Sequence, residues 1–256
     1  MPKVCIDAGH YGTYNPSPAV AGYFEAQAMW RLQELLCREL EVRGVSTVRT
    51  RTRQTEDLPL EQRGKTALGC DLFVSLHSNA AGDGMREDID YPVAYVSIGG
   101  QADIIGQKLA AAVEQVMQTA QSARIERREG SRGDYYGVLR GAAEVKVPGV
   151  ILEHSFHTNT RSANWLLSES NLLRLACAEA QIIAEYLHAP ANMRRYGYLK
   201  DIPEKDGFRA VIAQLTERGI LKGDGGSPPY LDLSCDMLRL LVVLHRAGVF
   251  DTDHQN

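Results

Sequence analysis

Short apolar runs alternate with amphipathic stretches along most of the chain, and the apolar runs end repeatedly in a polar, chemically active residue. Val4 to Ile6 reads as a strand leading into Asp7-Ala8-Gly9-His10. From Glu25 to Arg43 the series Met29, Leu32, Leu36 and Leu40 has helical spacing, with Glu25 in the first turn and Gly44 placed to end the helix. Val45 to Thr50 predicts a strand, Leu60 to Leu68 a second helix, and Leu72 to Leu76 a buried strand that delivers His77. After a polar loop from Gly82 to Asp90, Val93 to Ser97 predicts a further strand and Ala102 to Ala120 a long helix. Arg124 to Asp134 is dense in charge and glycine and predicts a solvated loop. Val147 to Leu152 predicts the last strand, carrying Glu153 and His154 at its end, and Asn171 to Leu187 an amphipathic helix. Strands alternating with helices imply an α/β fold, a mostly parallel sheet covered by helices on both faces.

His188-Ala189-Pro190-Ala191-Asn192 interrupts this pattern, and helical periodicity resumes only near Asp206, which places a boundary close to Asn192. The expected organisation is a catalytic domain over residues 1–190 and a small helical domain over 196–256. In the second, Phe208, Val211, Ile212 and Leu215 line one helix, and Leu238, Leu241 and Val242 line another. Two short helices bury little apolar surface, so this unit is expected to lean on a neighbour or to self-associate.

Composition narrows the function. With 44% apolar and 23% charged residues the chain has ordinary globular proportions. Its net charge of -4 argues against a nucleic-acid partner, which would call for surplus Lys and Arg against the phosphates. No apolar run is long enough to span a bilayer, so no membrane partner is expected. Met1-Pro2-Lys3 passes directly into Val4-Cys5-Ile6 with no signal-peptide stretch, which leads us to expect synthesis in the cytoplasm. The cysteines, Cys5, Cys37, Cys70, Cys177 and Cys235, are odd in number and lack paired ligand spacing, and read as reduced, packed thiols.

His10, Glu25 and His77 fall at a strand end, a helix start and another strand end, positions that an α/β sheet can gather on its carboxyl edge. Two imidazoles and a carboxylate with an open fourth position form a catalytic zinc set. Glu153, at a further strand end, is placed to move the proton in an amide hydrolysis. Taken singly, each residue also has an ordinary structural role: a turn histidine, a helix-start acid favoured by the macrodipole, a hydrogen-bonded strand-end histidine. Spacing does not separate the two.

The wording of the segments does. Ile6-Asp7-Ala8-Gly9-His10, the helix headed by Glu25, Thr50-Arg51, Arg63, Asp71 to Ala80 and Pro148 to Glu153 resemble, in order, the zinc N-acetylmuramoyl-L-alanine amidases of the Amidase_3 family, over nearly all of residues 1–190. The resemblance implies one Zn2+ held by His10, Glu25 and His77, with Glu153 as the catalytic carboxylate. It implies peptidoglycan as the substrate, cleaved between the lactyl group of N-acetylmuramic acid and L-alanine. Three departures fall near the site: Tyr11 in place of the usual glycine, the Asn15-Pro16-Ser17-Pro18 insertion, and His154 to Asn159 after Glu153. These bear on substrate contacts, where His154 or His157 would assist the leaving group or touch glycan, or else serve a supporting role behind the site.

Tyr198 to Pro203, Glu217 to Gly223 and Leu231 to Ser234 resemble a single degenerate surface-layer homology motif, which implies a wall-binding module. Self-association through an apolar face is the competing expectation for the same unit. For the whole chain, a zinc peptidase acting on stem peptides and a non-catalytic wall-binding protein are the alternatives to the amidase. Action on the cell wall without a signal peptide implies release through a holin, by mother-cell lysis, or by a non-classical route, as an endolysin or autolysin.

Overall fold

The computed structural model describes residues 1–190, 195–202, 204 and 207–250. The expected boundary at Asn192, the restart at Asp206 and Pro203 of the C-terminal motif lie outside the described residues. Contacts divide the chain into two compact units, Met1–Ala189 and Pro190–Asn256.

In the first unit the elements run β1 (Lys3–Ala8), α1 (Glu25–Val42), β2 (Ser46–Arg49), α2 (Leu60–Lys65), β3 (Leu72–Asn79) and β4 (Val93–Val96), then α3 (Asp103–Met117), β5 (Arg124–Glu126), β6 (Glu129–Gly130) and β7 (Gly133–Asp134), and finally α4 (Gly137–Glu144), β8 (Gly149–Phe156), α5 (Thr160–Leu167) and α6 (Glu169–Tyr186). Six strands form one sheet in the order β2-β1-β3-β8-β4-β5. The central strands are apolar on both sides, as a sheet covered on both faces requires. Alternation sorts their side chains: Val4, Ile6, Val74, Leu76, Val150 and Leu152 face α1, α3 and α6, while Cys5, Phe73, Tyr95 and Ile151 face α2 and α4. The predicted α/β architecture with two covered faces is therefore present.

Several details differ from the sequence reading. β3 and β8 extend to Asn79 and Phe156, so His77 and Glu153 lie within the strands and not after them. β4 runs antiparallel to β8, so the sheet is parallel except at that pair; strand direction leaves no mark on apolar periodicity. The expected loop from Arg124 to Asp134 instead holds β5, paired parallel to β4 at the sheet edge, and the β6–β7 hairpin. Charged residues are at home on an edge strand, which is why the segment looked like loop. The helices predicted to Leu68 and Ala120 stop at Lys65 and Met117, the second where Gln118 turns left-handed at φ 53°.

α2 and α4 approach so closely that a Cβ on Gly64 would sit 2.1 Å from the Val138 carbonyl oxygen, and one on Gly141 2.1 Å from that of Glu61. Glycine on both helices is what allows this crossing. It seats α2, and with it the buried Arg63, behind the end of β1.

In the second unit β9 (Arg195–Tyr196) pairs antiparallel with β10 (Leu233–Ser234), a 3-10 turn spans Leu199–Asp201, and α7 (Phe208–Glu217) and α8 (Cys235–Arg246) follow the predicted helices. Tyr196, Ile202, Ile212, Leu215, Leu231, Leu233 and Leu238 form its core. Among the described residues no helix is long and apolar enough to cross a membrane.

Candidate active site

The turn after β1 is fixed from behind. Asp7 is buried and does not reach the ligand cluster; its carboxylate accepts from Ser75 Oγ at 2.7 Å, from Thr50 Oγ1 and from Arg63 Nη1 at 3.2 Å. Arg63 also donates to the carbonyls of Ala8 and His10, each at 3.0 Å, and Arg51 donates to Ala8 at 2.8 Å. These bonds hold His10 at φ 55°, a left-handed conformation that costs a non-glycine residue about 1–3 kcal/mol. Gly9 is required by contact: a Cβ there would lie 2.3 Å from Cε1 of His77, whose ring rests on the bare backbone.

Glu25 opens α1, and its carboxylate joins the two histidines. Oε1 lies 2.8 Å from Nδ1 of His77 and accepts from the Ser78 amide at 3.1 Å, while Oε2 lies 3.4 Å from Nε2 of His10. The helix has no side-chain cap; its first amides donate to the carbonyls of Asn15 and Tyr14 in the preceding loop. Burial opposes ionisation of Glu25, but the bonds with His10 and His77 prevail and hold its carboxyl well below the usual range. His10, Glu25 and His77 each offer one ligand atom, all within 4.8 Å of one another.

Glu153 is the register partner of His77 on β8, on the same face of the sheet. Its Oε2 is shielded from solvent and has no hydrogen-bond partner. Burial raises its carboxyl well above the ordinary value, the Glu25 charge raises it further, and Arg128 works the other way. Two imidazole nitrogens and a carboxylate oxygen form the donor set a catalytic zinc ion takes, and a neighbouring orphaned carboxylate has a use only beside a cation or a substrate proton. The residues present fit the metal.

With that geometry in view, the comparisons are specific. Residues 4–185 match Amidase_3, N-acetylmuramoyl-L-alanine amidase. The chain belongs to this family. It is 27% identical over 197 residues to N-acetylmuramoyl-L-alanine amidase CwlM of Bacillus licheniformis, covering 75% of this chain and 71% of that protein. The catalytic domain of CwlV, an N-acetylmuramoyl-L-alanine amidase from Bacillus (Paenibacillus) polymyxa var. colistinus, superposes with a TM-score of 0.58 at 22% identity, over 74% of this chain and all (100%) of that one. An N-acetylmuramoyl-L-alanine amidase from Clostridium difficile 630 gives 0.62 at 20% identity, over 73% and 97%. These two superpositions establish a shared fold.

As an amidase-family chain this one also carries groups around the site that sequence reasoning left open. β8 pairs with β3 through a bulge, with His77 opposite Glu153 but Asn79 opposite Phe156, and Ser155 takes up the extra residue at φ 59°. His154 faces away from the ligand cluster and is fully buried; its Nδ1 donates to the His77 carbonyl at 2.8 Å and its Nε2 lies 2.8 Å from Oε1 of Glu179 on α6. His157 is buried too, its Nδ1 donating to the Ser78 carbonyl at 2.8 Å, with its ring stacked on Tyr23. Burial lowers the His157 pKa against the pull of Glu25. His154 supports β3 from behind, whereas His157 lies beside the ligand cluster, its Nδ1 3.9 Å from Glu25 Oε2, and lines a groove together with Asn15 and Ser17. Arg128, whose guanidinium sits 4.7 Å over the Tyr95 ring and donates to its hydroxyl at 3.1 Å, had no reading as a site group, and Asn15, read only as part of an insertion bearing on substrate contacts, donates to Glu25 Oε2 at 2.8 Å. An asparagine directly before proline, a turn signal, is all that the sequence carried for Asn15.

Proposed function

We propose that this chain is a zinc-dependent N-acetylmuramoyl-L-alanine amidase that hydrolyses the amide between the lactyl group of N-acetylmuramic acid and L-alanine. The observation that supports it is the meeting of His10, Glu25 and His77 at one point with the unpartnered Glu153 oxygen on the adjacent strand. His10, Glu25 and His77 would hold a zinc ion, which would supply a Lewis acid for the carbonyl and lower the pKa of water. Glu153 Oε2 accepts a proton from the attacking water as the new C–O bond forms, then delivers it to the alanine nitrogen as the C–N bond breaks. Burial raises the Glu153 carboxyl above its ordinary value, which favours the form that holds the proton between its removal from water and its return to nitrogen. Asp7, Arg51 and Arg63 keep the His10 turn rigid, so the donor atoms are in place before any ion arrives.

The test is digestion of purified peptidoglycan by zinc-loaded and chelated protein, with mass analysis of the fragments. Zinc-dependent release of stem peptides beginning with a free L-alanine amine is expected. Cleavage inside the stem would instead make it a peptidase, and tight wall binding without cleavage a binding protein. Glu153→Gln should lose turnover by about 100-fold or more while still binding zinc, the loss expected for a proton-transfer residue.

A further inference from the structure

Two tyrosine rings stand beside the ligand cluster. Tyr14 lies parallel to the His10 ring within 4°, centroids 5.6 Å apart, and Tyr11 meets Tyr14 at 5.4 Å with a tilt of 34°. Tyr11 is half-buried, whereas Tyr14 remains 53% exposed with both neighbours in place. The backbone beneath them is fixed to elements that carry the ligands. The Tyr14 amide donates to the Tyr11 carbonyl at 3.1 Å, the Tyr14 carbonyl accepts from the Ala26 amide of α1 at 3.4 Å, and the Asn15 carbonyl accepts from the Glu25 amide at 3.0 Å. Gly12 is held on Gln54, beyond the end of β2: its amide donates to the Gln54 carbonyl at 3.0 Å and its carbonyl accepts from Gln54 Nε2.

An exposed tyrosine is ordinary by itself; the place of this one gives it a use. Along the carboxyl edge the strands run β2, β1, β3, β8, so His10 follows β1, His77 stands on β3 and Glu153 on β8. To receive its proton from Glu153, the alanine nitrogen has to come within hydrogen-bond reach of that carboxyl. The carbonyl carbon holds its nitrogen and its lactyl carbon on diverging bonds. With the nitrogen on the β8 side, the lactyl arm leaves toward β1 and β2, the side on which His10 lies and to which Gly12 is tied. That arm is short, since a single ether oxygen joins the lactyl carbon to the pyranose, and the sugar ring is therefore held close to the cluster, where Tyr14 stands against His10. A pyranose presents C–H groups on its faces, and their positively polarised hydrogens are attracted to the electron-rich face of an aromatic ring.

We propose that Tyr14, shored up by Tyr11, is a stacking platform for the N-acetylmuramic acid ring of the substrate, so that the glycan is gripped by the loop after β1 while the peptide leaves past Glu153. The inference rests on the zinc amidase reading.

The test uses a muramoyl peptide and the same peptide carrying a D-lactyl group without the sugar, a pair that differs only in the pyranose. The variants, in the zinc-loaded full chain, are Tyr14→Ala, Tyr14→Leu, which keeps apolar bulk without an aromatic face, and Tyr14→Phe, which keeps the ring. Wild type should cleave the muramoyl peptide with the higher kcat/KM, by about 10-fold. Tyr14→Ala and Tyr14→Leu should lose that advantage while cleaving the lactyl peptide within ~2-fold of wild type, and Tyr14→Phe should retain it. A loss of equal size on both peptides overturns the proposal and makes Tyr14 a prop for the His10 ring; an advantage that survives in Tyr14→Ala and Tyr14→Leu, or that wild type lacks, overturns it as well. Calorimetric affinity for N-acetylmuramic acid is read on the same proteins, with D-lactate as the sugar-free control. If wild type cleaves neither peptide, the amidase reading fails and affinity alone decides the platform: N-acetylmuramic acid binding weaker by about 10-fold in Tyr14→Ala and Tyr14→Leu upholds it, and unchanged binding, or none beyond that of D-lactate, overturns it.

Discussion

At the scale of single residues the site is a balance of buried charge, and the balance has measurable signs. Glu153 carries an unpartnered, shielded oxygen, and its raised carboxyl means that the folded, metal-free chain holds a proton there that the unfolded chain releases. A raised carboxyl favours folding only while both states are protonated, below the ordinary carboxylate range. The benefit is lost as pH rises toward the folded value. Glu153→Gln should therefore raise the unfolding temperature of metal-free protein near neutral pH, by about 1.4 kcal/mol of stability for each pH unit by which folding raises the carboxyl, and the gain should vanish in acid. Equal melting of the two proteins at both pH values would show that Glu153 is solvated and unsuited to its role. Glu25 has the opposite sign, since its depressed carboxyl contributes stability above the ordinary range that is lost on acidification. Gly9 has a steric rather than an ionic part. Gly9→Ala places a carbon inside the His77 ring, so zinc affinity should fall by about 10- to 100-fold in chelator competition; undiminished affinity would mean that the ring does not lie where the ligand set needs it.

At the scale of elements, the carboxyl edge of the sheet collects the chemistry: His10 follows β1, and β3 and β8 run on past their apolar stretches to carry His77 and Glu153 in register. Periodicity singled out His10, Glu25, His77 and Glu153 only as polar residues beside apolar runs, a pattern that ordinary structural roles share, as the buried Asp7 and Ser75 do within the strands; the wording of the surrounding segments made them legible as a site. Asn15 was not readable in this way, because its position depends on the path of a loop closed by the Pro16–Phe24 bridge, and loops carry no period. Arg128 was hidden by an edge strand and hairpin whose charges resemble solvated loop. His154 was misleading for a third reason. Adjacent to Glu153 in sequence, it points to the opposite face of the sheet, where it ties β3 to β8 and to α6 through Glu179. Both of its nitrogens face oxygen atoms, and the Nε2–Oε1 contact with Glu179 lies in a dry environment. Removing one partner of such a pair costs about 3–5 kcal/mol. Glu179→Ala should lower the urea midpoint accordingly with an unchanged m-value, and a loss under about 1 kcal/mol would place this pair among those worth no more than a surface ion pair.

At the scale of the whole molecule, the two compact units have separate cores, and every proposed ligand and catalytic group belongs to the first. The first unit has apolar layers on both faces of a six-stranded sheet, whereas among the described residues the second has one small cluster around Ile212, Leu215 and Leu238, marginal by itself for a domain of its size. A chain ending at Ala189 should therefore keep its fold, its zinc affinity and its turnover of soluble muropeptides. What the second unit adds is then read by changing the substrate rather than the enzyme. If it holds the protein on wall polymer, as the motif resemblance implies, the shortened chain should lose activity on intact sacculi by about 10-fold or more, because tethering raises the local concentration of enzyme at an insoluble surface. The outer side of α8 offers a competing use: Met237, Leu240 and Val243 are 43%, 58% and 60% exposed at helical spacing, an apolar stripe suited to a second copy. Self-association would appear as a concentration-dependent mass in sedimentation, abolished by Leu240→Glu, with sacculus digestion falling in the same variant. Loss of sacculus activity on truncation with a monomeric full-length chain would assign the unit to the wall; loss through Leu240→Glu would assign it to the dimer.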